Sequence, residues 1–247
     1  MTSLTDALLN RFLAALSPLA PVAVWAHGSL AGGDYQEGRS DLDLVAVMES
    51  PTTPGTVRRV VALHRRLRAE PLAAGLHCTY LTPDTTADTG RSHLTWAHGH
   101  AMRRPVTPVT RRELHAFGRV LHGRSPAELL PTVTDRELAE FVVRDQREFW
   151  RPNVDKARLW RQDVWVDLGL LTYARATATL REGRLMSKRE ALDALPGLGA
   201  PMEVVADIER RRYERPGEPD GEWLDRRGEL TRTYLGPAID ELVKTYG

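Results

Sequence analysis

The chain has 247 residues, a formal net charge of +1, 42% hydrophobic and 27% charged residues, and one cysteine. That is the composition of a globular protein with enough chain for one large or two modest cores. The balanced charge offers no basic face for a nucleic acid or an anionic membrane, and Cys78 alone excludes an intrachain disulfide, which fits a reducing, cytoplasmic setting. Charge is also even along the chain: residues 1–107 carry ten Lys/Arg and nine Asp/Glu, leaving twenty-four of each for residues 108–247.

Helical spacing of apolar residues predicts a helix over 4–16, with Thr5 or Asp6 as its cap and Ser17-Pro18 as its stop. Residues 12–33 hold no charge, but Pro18, Pro21, Gly28 and Gly32-Gly33 interrupt the run and no basic cluster precedes it. Neither a signal peptide nor a membrane span is expected there. Val22–Ala26 reads as a short buried strand, "DLDLVAVM" from Asp41 as a second, and "GLHCTYLTP" (75–83) as a third. A basic amphipathic helix is predicted over 56–69, with Arg58, Arg59, Arg65, Arg66 and Arg68 on a solvated face. Helix, strand, strand, helix, strand makes an α/β (α+β) sheet unit. Beyond Pro105 and Pro108 the texture turns helical, with helices predicted over 110–122, 135–150, 163–182, 187–195, 201–213 and 221–245. The expected organisation is therefore an α/β domain over 1–107 and an all-α domain over 108–247, with an exposed loop at 215–222.

The chemistry is concentrated in "HGSLAGGDYQEGRSDLDLVAV" (27–47). In an extended strand, residues i and i+2 point to the same side, so Asp41 and Asp43 project together. Two adjacent carboxylates repel unless a cation lies between them. A hard divalent ion such as Mg²⁺ suits them, and phosphoryl or nucleotidyl transfer is the chemistry that uses such a pair. Upstream, Gly28-Ser29 forms a turn whose backbone N–H groups and hydroxyl can meet a phosphate, and Ser40 is a further donor.

Ala26-His27-Gly28-Ser29, eleven residues, then Asp41-Leu42-Asp43-Leu44 resembles the signature of the nucleotidyltransferase superfamily related to DNA polymerase beta. The stretches "ELHAFGRVLHG" (113–123), "LLTYARATATLREGRLMSKREALDALP" (170–196) and "ADIERRRY" (206–213) resemble streptomycin/spectinomycin-type aminoglycoside adenylyltransferases. The resemblance implies a nucleotidyltransferase domain, a helical substrate-binding domain, and transfer of AMP from ATP, with Mg²⁺, to a drug hydroxyl. It implies that Asp41 and Asp43 hold the metal, and that Gly28, Ser29 and Ser40 bind the nucleotide. Arg210 and Arg212 match basic residues placed against the triphosphate, and Asp193 matches an acid that holds the cationic acceptor. A monomer with a small-molecule partner, and no membrane or nucleic-acid partner, is expected.

Two positions depart from that pattern. The family's third carboxylate, proposed as general base, corresponds to His77, which could serve as the base itself; Glu140, Asp145 or Glu148 could bring a carboxylate from the helical part instead. Arg189 stands where the family has a second drug-binding acid, so the acceptor need not be a polycationic aminoglycoside. Transfer to a protein or RNA, or nucleotide binding without transfer, are the alternative readings. "HLTWAHGH" (93–100) lacks a zinc spacing and reads as a junction between domains. Trp150, Trp160 and Trp165 are expected in core or cleft wall.

Overall fold

A computed structural model describes residues 3–214 and 220–247. It divides into two compact units, residues 1–133 and 134–247. In chain order the first holds α1 (Leu4–Leu16), β1 (Pro21–Ala26), α2 (Gly28–Ala31), β2 (Leu42–Met48), α3 (Pro54–Leu67), β3 (Leu76–Leu81), β4 (Ser92–Ala97), β5 (His100–Pro105), α4 (Pro108–Phe117), β6 (Arg119–Gly123) and α5 (Pro126–Leu129). The second holds α6 (Asp135–Asp145), α7 (Arg151–Val154), α8 (Asp163–Glu182), α9 (Lys188–Ala194), α10 (Met202–Tyr213) and α11 (Gly221–Tyr246). Among the described residues every strand lies in the first unit.

The strands form one mixed sheet of order β5-β4-β3-β2-β1-β6, with β2 and β3 parallel and the other neighbours antiparallel. Alternation along β2 explains its nearly continuous apolar run. Leu42, Leu44, Ala46 and Met48 pack with α1 and α3, while Val45 and Val47 pack on the opposite face with Trp25 and Leu114 of α4. A strand buried on both faces needs apolar residues at every position. Asp43 breaks the run near the start of the strand, on the Val45 face. Helix α1 starts from Ser3, whose hydroxyl accepts the Asp6 N–H at 3.0 Å, rather than from Thr5 or Asp6.

Three expectations are corrected. Residues 93–100 are not a junction: β4 and β5 form a hairpin whose two-residue turn is His98-Gly99, both with positive φ (52° and 77°), as a tight primed turn requires. The helix expected over 110–122 ends at Phe117: Gly118, where a Cβ would meet the Leu114 carbonyl, lets the chain turn out of the helix, and residues 119–123 pair with β1. That return pairing keeps residues 108–133 with the sheet, so the compact unit ends at Val133 rather than near 107. Of the loop expected at 215–222, residues 215–219 lie outside the described residues, and Asp220 caps α11 through the Trp223 N–H.

Under β3 and β4, His64 of α3 is buried, stacked on Trp96 with ring centroids 4.8 Å apart, and its Nε2 shares a 2.7 Å hydrogen bond with the Tyr80 hydroxyl. Burial, with the nearby His77 second, pushes its imidazolium down to about 3. The unfolded chain therefore takes up a proton at this residue below pH 6.5 that the folded chain refuses. Stability is present above pH 6.5 and falls by about 1.4 kcal/mol per pH unit from there toward pH 3. Urea unfolding at pH 7 and pH 5 is expected to show a slope that is smaller by about this amount in His64→Phe than in the wild type. An equal slope in both would remove His64 from the acid sensitivity.

The second unit is built around Trp160, which is fully buried and donates its indole N–H to the Asn153 carbonyl at 2.9 Å. Gly169 of α8 and Gly228 of α11 face it; a Cβ at either would come within 2.6 Å of its ring or 2.9 Å of its carbonyl oxygen. The glycines thus let α8 lie against the Trp160 ring and α11 against its main chain. Trp165 lies beside Trp160, Trp150 and Phe149, so the three tryptophans form one aromatic cluster.

Candidate active site

The predicted centre assembles in the first unit where β1, β2 and β3 meet. Parallel pairing of β2 and β3 places His77 directly beside Asp43. The imidazole then reaches both acids: Nδ1 lies 3.5 Å from Asp43 Oδ1, and Nε2 lies 3.8 Å from Asp41 Oδ1. Asp41 and Asp43 therefore converge on one ring. The histidine is buried, whereas Asp41 is half exposed (52%) and Asp43 about a third (36%). Two carboxylates that meet at one ring favour a cation beside them.

Gly28 closes the site. Its φ is +61°, and a Cβ there would lie 2.9 Å from Asp43 Oδ2, so the turn backbone sits directly against that carboxylate. Gly75, before β3, lies in van der Waals reach of Asp41; a Cβ there would be 3.4 Å from Oδ1. Ser29 is half-buried in the same turn and its carbonyl accepts the Asp34 N–H at 3.1 Å. Ser40 precedes Asp41 and its hydroxyl accepts the Gln36 N–H at 3.1 Å. Gly28, Asp41, Asp43 and His77 are thus brought together, with Ser29 and Ser40 as their chain neighbours.

Two further residues were missed in the sequence. Pairing of Ala26 with Leu44 puts His27 opposite Asp43, and the His27 N–H donates to the Asp43 carbonyl at 3.0 Å. Its Nδ1 lies 3.2 Å from Oε2 of Glu113, a buried acid on α4. Strand alternation from Trp25 would have placed His27 on the Asp43 face; nothing local marks Glu113. At the other side, His98 of the β4–β5 turn packs its ring edge against His77, centroids 4.6 Å apart. Burial and the neighbouring His77 push the His98 imidazolium down.

The donor set fits a hard cation. Among the described residues no group of three or more His, Cys, Asp and Glu side chains could hold a metal alone. Two carboxylates with open sides suit Mg²⁺, which keeps several waters and completes its shell with substrate phosphates.

The other expected residues belong to the second unit. Asp193 is exposed on α9, and Arg189 one turn before it pairs with Glu209 at 2.9 Å and stacks on Tyr213 at 3.4 Å from the ring centroid. On α10, Arg210 is exposed and reaches Asp207 at 3.4 Å, and Arg212 lies 5.7 Å from the Tyr213 ring. Arg211, between them, is committed inward to Asp167 and Asp207, at 2.6 and 2.9 Å. Of the alternative acids, Glu140 pairs with Arg136 at 2.7 Å and Glu148 is exposed. Asp145 accepts the Trp150 indole N–H at 3.1 Å, and burial raises its carboxyl above the usual range.

Residues 8–75 match the family model described as nucleotidyltransferase domain, a span that contains Gly28, Ser29, Ser40, Asp41 and Asp43 and stops two residues before His77. This segment is similar to nucleotidyltransferase domains. A search of curated protein sequences finds no match. Among solved structures, the chain is similar to the spectinomycin adenyltransferase AAD(9) from Enterococcus faecialis, crystallised with ATP and spectinomycin. The TM-score is 0.70 at 16% identity, covering 95% of this chain and 97% of that one. The likeness extends the shared fold beyond the nucleotidyltransferase domain to the helical unit. No helix of the described residues is long and apolar enough to cross a membrane.

Proposed function

We propose that the protein is a Mg²⁺-dependent adenylyltransferase that moves AMP from ATP to a hydroxyl of an aminoglycoside-like small molecule. The observation that carries this reading is the convergence of Asp41 and Asp43 on one ring, with the Gly28 backbone against Asp43. Asp41 and Asp43 would hold the ion, which when bound neutralises phosphate charge and fixes the nucleotide's orientation. The Gly28-Ser29 turn and Ser40 offer N–H and O–H donors to the phosphates. The acceptor oxygen forms a bond to the α-phosphorus in line with the bond that breaks, and pyrophosphate leaves. His77 stands at the position of the family's third carboxylate and accepts the hydroxyl proton. Catalysis is then mainly positioning and charge neutralisation. By the resemblance, Arg210 and Arg212 serve the triphosphate and Asp193 the acceptor. Arg189 beside Asp193 disfavours a heavily charged drug, so spectinomycin, the ligand of AAD(9), is a suitable first acceptor.

Incubation with ATP labelled at the α-phosphate and a panel of spectinomycin, streptomycin and other aminoglycosides tests this. Labelled drug is the expected product, with His77→Ala slowing turnover by about 10²-fold or more while ATP affinity holds. Label on protein or RNA alone would reassign the acceptor, and ATP binding with no labelled product would make the site a nucleotide-binding module.

A further inference from the structure

We infer that the first unit carries a second, separate site, for a small tetrahedral oxyanion such as phosphate or a phosphate monoester. At the end of the sheet away from Asp43, a cavity of about 150 Å³ opens between the end of β3 and the start of β4, lined by Thr82, Thr85, Arg91, Ser92, His93 and Arg103. From His77 to Thr82 is five strand positions, about 16 Å, so the cavity and the carboxylate pair do not share residues.

Its wall is positive and rich in donors. The Arg91 guanidinium has no hydrogen bond or ion pair with the described residues. Arg103 uses one arm to donate to the Ser92 carbonyl at 2.7 Å, which fixes its position. Behind them Arg111 is fully buried and held by the main-chain carbonyls of Val106, Thr86 and Asp88. His93 is 4% exposed and its Nε2 finds no hydrogen-bond partner among the described residues. An orphaned buried polar atom is costly unless a ligand or water meets it. Burial and the charges of Arg111, Arg91 and Arg103 push the His93 imidazolium down, a measure of the positive field at this spot. Asp84, an exposed residue, is the carboxylate on the lining, and Asp88 is occupied by the Gly90 and Arg91 N–H groups at 3.0 and 3.1 Å. Three guanidiniums against two carboxylates leave net positive charge. An oxyanion with several acceptor oxygens could take the Arg91 and Arg103 N–H groups, the His93 ring and the Thr82 hydroxyl together. The cavity has room for one such group.

This site does not depend on the nucleotide reading, and the test keeps the two apart. Inorganic phosphate and methyl phosphate are titrated calorimetrically, without Mg²⁺, into the wild type, Asp43→Asn, and the double variants Arg91→Ala/Arg103→Ala and Arg91→Lys/Arg103→Lys. Wild type and Asp43→Asn should bind phosphate alike. The alanine pair should bind at least about tenfold more weakly, as expected for loss of charge-assisted hydrogen bonds, and the lysine pair should recover part of the loss. Phosphate should also raise the melting temperature of the wild type and not of the alanine pair. Binding of methyl phosphate as well as phosphate assigns the site to a phosphoryl group on a larger molecule; binding of phosphate alone assigns it to the free ion. No saturable phosphate binding, affinity unchanged in a folded alanine pair, or loss of binding in Asp43→Asn would overturn the inference.

Discussion

Asp43→Asn is expected to abolish AMP transfer, lowering kcat by about 10³-fold or more, while leaving the fold intact. The side chain keeps its shape, and the contact that anchors this point of β2 to the turn is made by the Asp43 carbonyl, not its carboxylate. On the proposed reading, what disappears is one of two charges that would together hold a divalent cation against phosphate oxygens, and losses of this size follow removal of a single preorganised group that stabilises transition-state charge. Thermal stability should change little, because asparagine keeps the shape of the side chain and an acceptor oxygen. Single-turnover kinetics beside thermal unfolding separates the two effects. A variant that is inactive because it is unfolded, or folded and fully active, would contradict the assignment.

The second large effect lies in the second unit. Asp207 of α10 is buried and accepts from Arg227 at 3.0 Å, from Arg211 at 2.9 Å and from the Trp223 indole at 3.2 Å. Asp163 joins through Arg227 at 2.7 Å, and Asp167 through Arg211 at 2.6 Å. Burial alone would raise the Asp207 carboxyl, but Arg227 and Arg211 outweigh it and hold it below the usual carboxylate range. Asp207→Ala leaves Arg227, which has no exposed surface, with Asp163 as its remaining carboxylate partner. Breaking a buried pair from one side costs about 3–5 kcal/mol. Denaturant unfolding is expected to show a loss of that order, and Asp207→Asn, which keeps acceptor and shape, a smaller one. A loss below about 1 kcal/mol would place the network among exposed pairs of little consequence.

How much was legible in the chain follows from where each contact is made. The central strands β1, β2 and β3 announce themselves because both faces are buried and the apolar runs are bounded by glycine and proline. The Gly-Ser and Asp-x-Asp positions are legible because their chemistry depends on local spacing. Strands β5 and β6 are edge strands with mostly exposed residues, so neither run shows a buried alternation. The pairing of β6 with β1 joins residues almost a hundred positions apart, and that pairing sets the limit of the first unit. The same holds for His27 and Glu113, a contact between β1 and α4 that no periodicity encodes. In "ERRRY" (209–213) the helix turns each arginine to a different side. Which one faces inward depends on Asp163, Asp167 and Asp207, so Arg211 emerges only in three dimensions. His77 shows the reverse case: its position was readable from the strand, but its contact with both acids needed the β2–β3 register.

The most direct measurement of the central claim, that Asp41 and Asp43 share an ion that grips a nucleoside triphosphate, is calorimetric titration of ATP with and without Mg²⁺. The wild type, Asp41→Asn and Asp43→Asn are compared at one pH. Mg²⁺ should strengthen ATP binding to the wild type by at least about tenfold, 1.4 kcal/mol, and this gain should vanish in both variants. ATP affinity that ignores Mg²⁺, or a gain that survives loss of either aspartate, would contradict it.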